Sequence, residues 1–179
     1  MYMEKRVRFE LLYARHAPAV KAYVLRRSDA ASADDVVAEV FVVCWRRFHE
    51  LPPDALPWLL GVARRMLSTQ RRSARRRAAL EERLAGAGAG AAVEPVEVTA
   101  DEDRVLAPAL ARLSDADREL LLLIAWDGLS PTQAAAVLGV KPATVRVRLL
   151  RARRRLSHAL AREELASRAC TSIAMEVSS

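Results

Sequence analysis

The stretch Ser130–Leu156, SPTQAAAVLGVKPATVRVRLLRARRRL, constrains this chain more than any other. Ser130 is placed to N-cap a short helix, Pro131 suits its first turn, and Gln133 stands at the reciprocal capping position. Gly139 accepts the left-handed backbone that ends a helix. Val140 and Lys141 then turn the chain, and Pro142 opens a second helix. There Val145, Leu149, Ala152 and Leu156 recur at helical spacing and give one apolar face. The remaining faces carry Thr144, Arg146, Val147, Arg148, Leu150, Arg151, Arg153, Arg154 and Arg155. A short helix, a glycine turn and a second helix with an apolar inner face describe a helix-turn-helix. The competing reading is an amphipathic hairpin with a solvated basic face, but such faces mix both signs of charge. No acid occurs from Lys141 to Leu156, and a face of guanidinium groups suits phosphates and guanine edges.

The rest of the composition agrees with a polyanionic partner. The net charge is +7 over 179 residues, and 52% hydrophobic residues suffice for a buried core. Two cysteines, Cys44 and Cys170, are too few for a disulfide framework. Neither a signal-peptide pattern nor a membrane-length apolar run is present, so a cytoplasmic chain without membrane insertion is expected. Scattered histidines (His16, His49, His158), no phosphate-cradling glycine motif and no zinc spacing leave no catalytic, metal or cofactor site to expect.

From the N-terminus, a helix is expected over about Glu4 to Arg27, kinked or split at Pro18. Its stripe of Phe9, Leu12, His16, Val20, Tyr23 and Val24 makes His16 a packed histidine rather than a ligand. After a loop from Ser28 to Ala31, Ser32 is expected to cap a second helix, with Asp35 at the capping-box position. Val36, Val37, Val40, Phe41, Cys44, Trp45 and Phe48 form its apolar face, and Cys44 belongs to that core. Asp35, Glu39, Val42 and Arg46 share the opposite side. Chemistry alone leaves two readings: a solvated face, or a docking surface for a basic partner centred on Val42.

Three prolines make His49 to Pro57 a loop, and Pro57 is placed to start a third helix. Trp58, Leu59, Val62, Ala63, Met66 and Leu67 supply its buried stripe. Arg64, Arg65, Arg71, Arg72, Arg75, Arg76 and Arg77 follow without an acid before Glu81. A loop bearing His49 and Leu51 beside such a helix could grip a single strand, phosphates on the arginines and an unstacked base in the loop. Residues 85–103, rich in alanine and glycine and then in acids (Glu94, Glu97, Asp101, Glu102, Asp103), read as a flexible linker. About 15 extended residues span roughly 50 Å, and DNA sites about 17 base pairs apart are separated by roughly 58 Å. With the domain radii added, one chain can hold both. Beyond the linker, Leu106, Leu110 and Leu113 give an apolar edge. Ser114 caps the nearly all-apolar helix that Asp127 and Gly128 end, with Asp117 at its capping-box position. The last helix is expected to run to about Arg168 and the tail 169–179 to fray.

Three stretches carry a family resemblance: SADDVVAEVFVVCWRRF, LPWLLGVARRML with the following RR, and LSDADRELLLLIAWDGLSPTQAAAVLGVKPATVRVRLLRARRRL. In order and spacing the chain resembles the extracytoplasmic-function (ECF) sigma factors of bacterial RNA polymerase. The resemblance implies an all-α fold of two small helical domains: a sigma2-like bundle over 1–84 and a sigma4-like helix-turn-helix domain over 104–168. The first would bind core polymerase and melt the −10 element, and the second would read the −35 element. Asp35, Glu39, Val42 and Arg46 would meet the coiled coil of the polymerase's largest subunit. His49, Leu51, Arg64, Arg65, Arg71 and Arg72 would handle the −10 strand. Arg146, Val147, Leu150 and Arg151 match major-groove positions, while Thr144 and Arg148 would reach phosphates. The flap of the second subunit, promoter DNA and an anti-sigma factor complete the partners it suggests. Departures from the family pattern fall at Lys141, Val147 and Arg65. A stand-alone helix-turn-helix regulator is the alternative function.

Overall fold

Seven α-helices make up the regular structure of the described residues, with one 3-10 turn and no strand. The structure is a computed structural model that describes residues 2–85 and 103–177, with side chains over 3–81 and 105–163. The linker segment 86–102, its glycines, and the side chain of Cys170 lie outside the described residues. The chain divides into two units: one holds α1 (Tyr2–Leu25), α2 (Ala30–Arg46) and α3 (Ala55–Ala85). The other holds α4 (Asp103–Ala111), α5 (Asp115–Ala125), the start of α6 (Pro131–Leu138) and α7 (Pro142–Val177).

In the first unit the three helices pack pairwise on one another. Val20, Tyr23 and Val24 of α1 meet a core that also buries Val36, Val40 and Cys44 of α2 and Leu59 and Ala63 of α3. Each fully buried aliphatic side chain contributes about 1.5–3 kcal/mol. An aromatic cluster extends this core: Phe9 stands edge-on to Trp45 at 5.1 Å and Tyr13 to Phe41 at 4.6 Å. Lys5 covers the outer side of the Trp45 ring at 4.4 Å. Burial pushes the Cys44 thiol up to about 11, which keeps it protonated and inert.

Pro18 neither splits nor ends α1, which is one 24-residue helix. Its ring lies on the exposed side, where the carbonyl that loses its partner is open to water. The start of α2 also differs from expectation. Asp29, not Ser32, is the N-cap; its carboxylate accepts from the Ser32 backbone N–H at 2.7 Å and from the Ser32 hydroxyl at 3.2 Å. An aspartate has acceptor oxygens for both donors, so the helix starts three residues earlier and Asp35 lies inside it. Those hydrogen bonds hold the Asp29 carboxyl below its ordinary range. Likewise α3 begins at Ala55, two residues before Pro57.

In the second unit α4 and α5 both pack on α7. The core collects Ala109, Leu110 and Leu113, then Leu120 and Leu123, against Val145, Leu149 and Ala152 of α7. Ser114 caps α5 through its hydroxyl, which accepts from the Asp117 N–H at 3.2 Å. Ser130 and Gln133 form a reciprocal capping box at the start of α6: Gln133 Oε1 takes the Ser130 N–H at 2.8 Å and Ser130 Oγ the Gln133 N–H at 3.2 Å. Gly128 and Gly139 adopt φ of 65° and 69°, ending α5 and α6 as glycine allows. The last helix does not stop at Arg168; α7 continues to Val177, so most of the tail is helical.

A Cβ added at Gly139 meets nothing within 4 Å, so the cost of Gly139→Ala is backbone strain alone. That strain is about 1–2 kcal/mol for a left-handed alanine. Urea unfolding should show a loss of this size.

Candidate nucleic-acid interface

The apolar face of α7 is committed to the core, and that commitment aims its other faces outward. With Val145, Leu149 and Ala152 buried, Thr144, Arg146, Val147, Leu150 and Arg151 are all exposed. Val147 and Leu150 keep 50% and 54% of their surface in water. Among the described residues, Arg146 and Arg151 have no ion-pair partner. Arg148 differs: it is half-buried, and its Nη2 lies 3.9 Å from Asp117 Oδ1. Asp117 therefore spends its carboxylate on α7 rather than on capping α5, and Arg155 completes the pairing at 2.5 Å.

Other arginines of this unit hold the scaffold. Arg118 donates to the carbonyls of Leu110 at 2.9 Å, Ala111 at 3.1 Å and Leu113 at 3.4 Å, placing a cation on the carbonyl end of α4. Arg112 pairs with Glu163 of α7 at 2.6 Å.

In the first unit, Asp35, Glu39, Val42 and Arg46 are exposed along one face of α2, with Val42 at 48%. Neither carboxylate has an ion-pair partner among the described residues, although Asp34 beside them pairs with Lys21 at 2.9 Å. The face is thus acidic and apolar at once, with its charge uncommitted.

The arginine helix α3 proves heterogeneous. Arg65 is exposed and Arg64 half-buried, but Arg71 reaches back to α1. Its Nη2 donates to the Arg27 carbonyl at 2.7 Å. Arg27 is itself buried, its guanidinium 3.7 Å from the Tyr23 ring centre and its Nη1 donating to the Tyr23 carbonyl at 3.1 Å. Arg72 makes only long contacts to Ser68, at 3.4 Å. The structure thus gives Arg71 a role in joining α3 to the end of α1 that its sequence position does not reveal.

His49 lies within the 3-10 turn Phe48–Glu50, and Leu51 follows it. Arg47 clamps Glu50 and holds its carboxyl below the usual carboxylate range. His49 is exposed, with Nε2 3.6 Å from Glu50. Leu51 instead lines an open groove of about 580 Å³ between α1 and this loop, with Arg8, Arg15, His16 and Phe48. Arg8 and Arg15 are cations that helix periodicity did not single out, because their lining role depends on where the proline loop folds. Burial, then the nearby Arg15 charge, lower the pKa of His16, against a smaller opposing effect of Asp54.

Two family models match the chain: sigma-70 region 2 over residues 12–77 and sigma-70 region 4 over residues 104–156. This defines a class, the transcription initiation subunits of bacterial RNA polymerase. The ECF RNA polymerase sigma factor SigL of Mycobacterium tuberculosis is 39% identical over 143 residues, which cover 77% of this chain and 80% of that protein. The RNA polymerase sigma factor CnrH of Cupriavidus metallidurans is 31% identical over 164 residues, covering 83% and 84%. Among solved structures, the sigma factor RpoE in complex with the anti-sigma factor NepR from Bartonella quintana superposes with a TM-score of 0.64. It is 25% identical and covers 86% of this chain and 96% of its own. The chain belongs to the ECF RNA polymerase sigma factors. Among the described residues no helix is long and apolar enough to cross a membrane.

Two outcomes follow from these contacts. Arg71→Ala should cost about 1 kcal/mol of stability through the lost bond to the Arg27 carbonyl. Arg72→Ala should stay within about 0.5 kcal/mol of wild type, both read by urea denaturation. His16 binds its proton less readily folded than unfolded, so the unfolded chain takes up more protons as pH falls through about 6.5. Stability should therefore decline over that interval and level off below the folded pKa, and His16→Gln should flatten this part of the profile.

Proposed function

We propose that this ECF sigma factor divides its work between its two units, the first docking on core polymerase and opening the −10 element, the second reading the −35 element. The observation that carries the reading is the outward face of α7, within the stretch matched by sigma-70 region 4. There Arg146 and Arg151, without an ion pair among the described residues, flank the exposed Val147 and Leu150. Two arginines can engage guanine O6 and N7, and two aliphatic side chains suit thymine methyl groups. Thr144 would contact phosphate from the same side.

In the first unit, Asp35, Glu39, Val42 and Arg46 would meet the coiled coil of the polymerase's largest subunit. Exposed carboxylates around an apolar centre are what a basic helical partner requires. His49, Leu51, Arg64, Arg65 and Arg72 would handle the displaced −10 strand. The groove lined by Leu51 and Phe48 could receive an unstacked base, with Arg8 and Arg15 near its phosphates. Arg71, tied to the Arg27 carbonyl, would serve this interface by holding α3 in place. The linker would let both units act on one promoter. The chain itself would perform no catalysis, leaving bond formation to the polymerase, and would work in the cytoplasm, where promoter DNA is. An anti-sigma protein is a further partner, on the support of the RpoE–NepR complex and of the structure of CnrH with the cytosolic domain of CnrY.

Run-off transcription with purified core polymerase on genomic fragments tests this. Discrete start sites that need the chain are expected; fragments transcribed equally without it would refute the proposal. Arg146→Ala or Arg151→Ala should cost about 1–3 kcal/mol at one −35 position. The double change Asp35→Arg, Glu39→Arg should abolish co-purification with core polymerase while leaving the circular dichroism melt unchanged.

A further inference from the structure

Asp117 is the one buried carboxylate among the described residues. It lies in the first turn of α5, and its backbone N–H is already taken by Ser114. Its side chain, 6% exposed, points at α7: Oδ2 accepts from Arg155 Nη1 at 2.5 Å and Oδ1 stands 3.9 Å from Arg148 Nη2. Thr144, Arg148, Arg151 and Arg155 follow one another at steps of four, three and four residues, so they share one flank of α7. That flank is divided. Arg151 is exposed without an ion pair, while Arg148 and Arg155 face a carboxylate.

A guanidinium cannot serve a carboxylate and a phosphate with the same N–H groups. The Asp117 carboxylate is shielded from water, so its pull on the two arginines is screened by salt less than that of a surface acid. Sequence-independent DNA binding grows with the number of phosphates neutralised, and each adds about 0.9 to the slope of log K against log salt. We propose that Asp117 is a positioning residue for the DNA-reading face: it competes with phosphate for Arg148 and Arg155 and so limits how many α7 guanidiniums a duplex of arbitrary sequence can recruit. Arg146 and Arg151, the two assigned to base edges, are among the arginines left uncommitted. The effect is on specificity, raising the ratio of −35 binding to indiscriminate binding. This rests on the assignment of α7 to the −35 element.

The test uses the full chain and a fluorescent duplex lacking a −35 sequence, with affinity measured by anisotropy between about 50 and 200 mM salt. Asp117→Asn should bind this duplex severalfold more tightly, with a slope steeper by about 1 to 2. Arg155→Ala should leave the wild-type slope unchanged yet remove part of the gain in the Asp117→Asn background. A purely structural role for Asp117 would change stability and leave the slope alone. An unchanged slope in folded Asp117→Asn would overturn the proposal. If that variant fails to fold, Arg155→Ala decides: a slope equal to wild type upholds the sequestration, and a shallower slope overturns it. A duplex affinity indifferent to salt and to Arg146→Ala would instead remove the assignment of α7 to DNA, and this inference with it.

Discussion

Unbalanced guanidinium charge is the constraint on which this structure turns. The chain has 29 basic side chains against 22 acidic ones, and its arginines concentrate on α3 and α7. Each must find an oxygen or remain in water. Some cap backbone: Arg118 gathers the last carbonyls of α4, and Arg71 takes the carbonyl of Arg27 beyond the end of α1. Others find carboxylates, as Arg112 does in Glu163 and Arg155 in Asp117. Still others are exposed without an ion pair among the described residues, including Arg146, Arg151, Arg153 and Arg154 on α7 and Arg65, Arg75, Arg76 and Arg77 on α3. A surface of uncommitted arginines carries its hydration at little cost until a polyanion arrives, and phosphate then replaces water and releases counterions. On the proposed function, DNA would meet arginines that the fold has not used.

The elements were largely legible because helix periodicity is a strong signal and no strand competes with it among the described residues. The turn between α6 and α7 is a clear instance: Ser130, Gln133 and Gly139 carry the caps that the local chemistry calls for. Misreadings arose where two residues could do the same job. Asp29 and Ser32 are both good N-caps, and the carboxylate prevails because it can accept both the N–H and the hydroxyl of Ser32. Of the kink or split expected at Pro18, the split does not occur, and its position on the solvent side of α1 makes the missing hydrogen bond cheap. The tail was expected to fray, but nothing in it stops a helix already running, and α7 continues to Val177.

The site was legible in outline and opaque in its allotment. Sequence spacing puts Arg146, Arg148 and Arg151 on one helix, but it does not show that Arg148 turns toward a carboxylate from α5. Nor does it separate Arg71 from Arg72, adjacent residues of which one reaches across to α1 and the other reaches only Ser68 of its own helix. These distinctions depend on long-range packing, which a pattern within one helix cannot report. The same holds for Arg8 and Arg15, which reach the groove only through the fold of the loop after α2. The sigma factor family agrees with this division: it supplies the expectation of two DNA-reading units, while the side-chain partners in this chain say which arginines are available to them.

The most direct measurement of the central claim is hydroxyl-radical footprinting of a promoter with the chain alone and with the chain bound to core polymerase. The account predicts two separate protected tracts that appear only with the polymerase, because the two units are held in register on the DNA by that larger assembly. A single symmetric footprint on a palindrome, formed by the isolated chain and unchanged when polymerase is added, would contradict it.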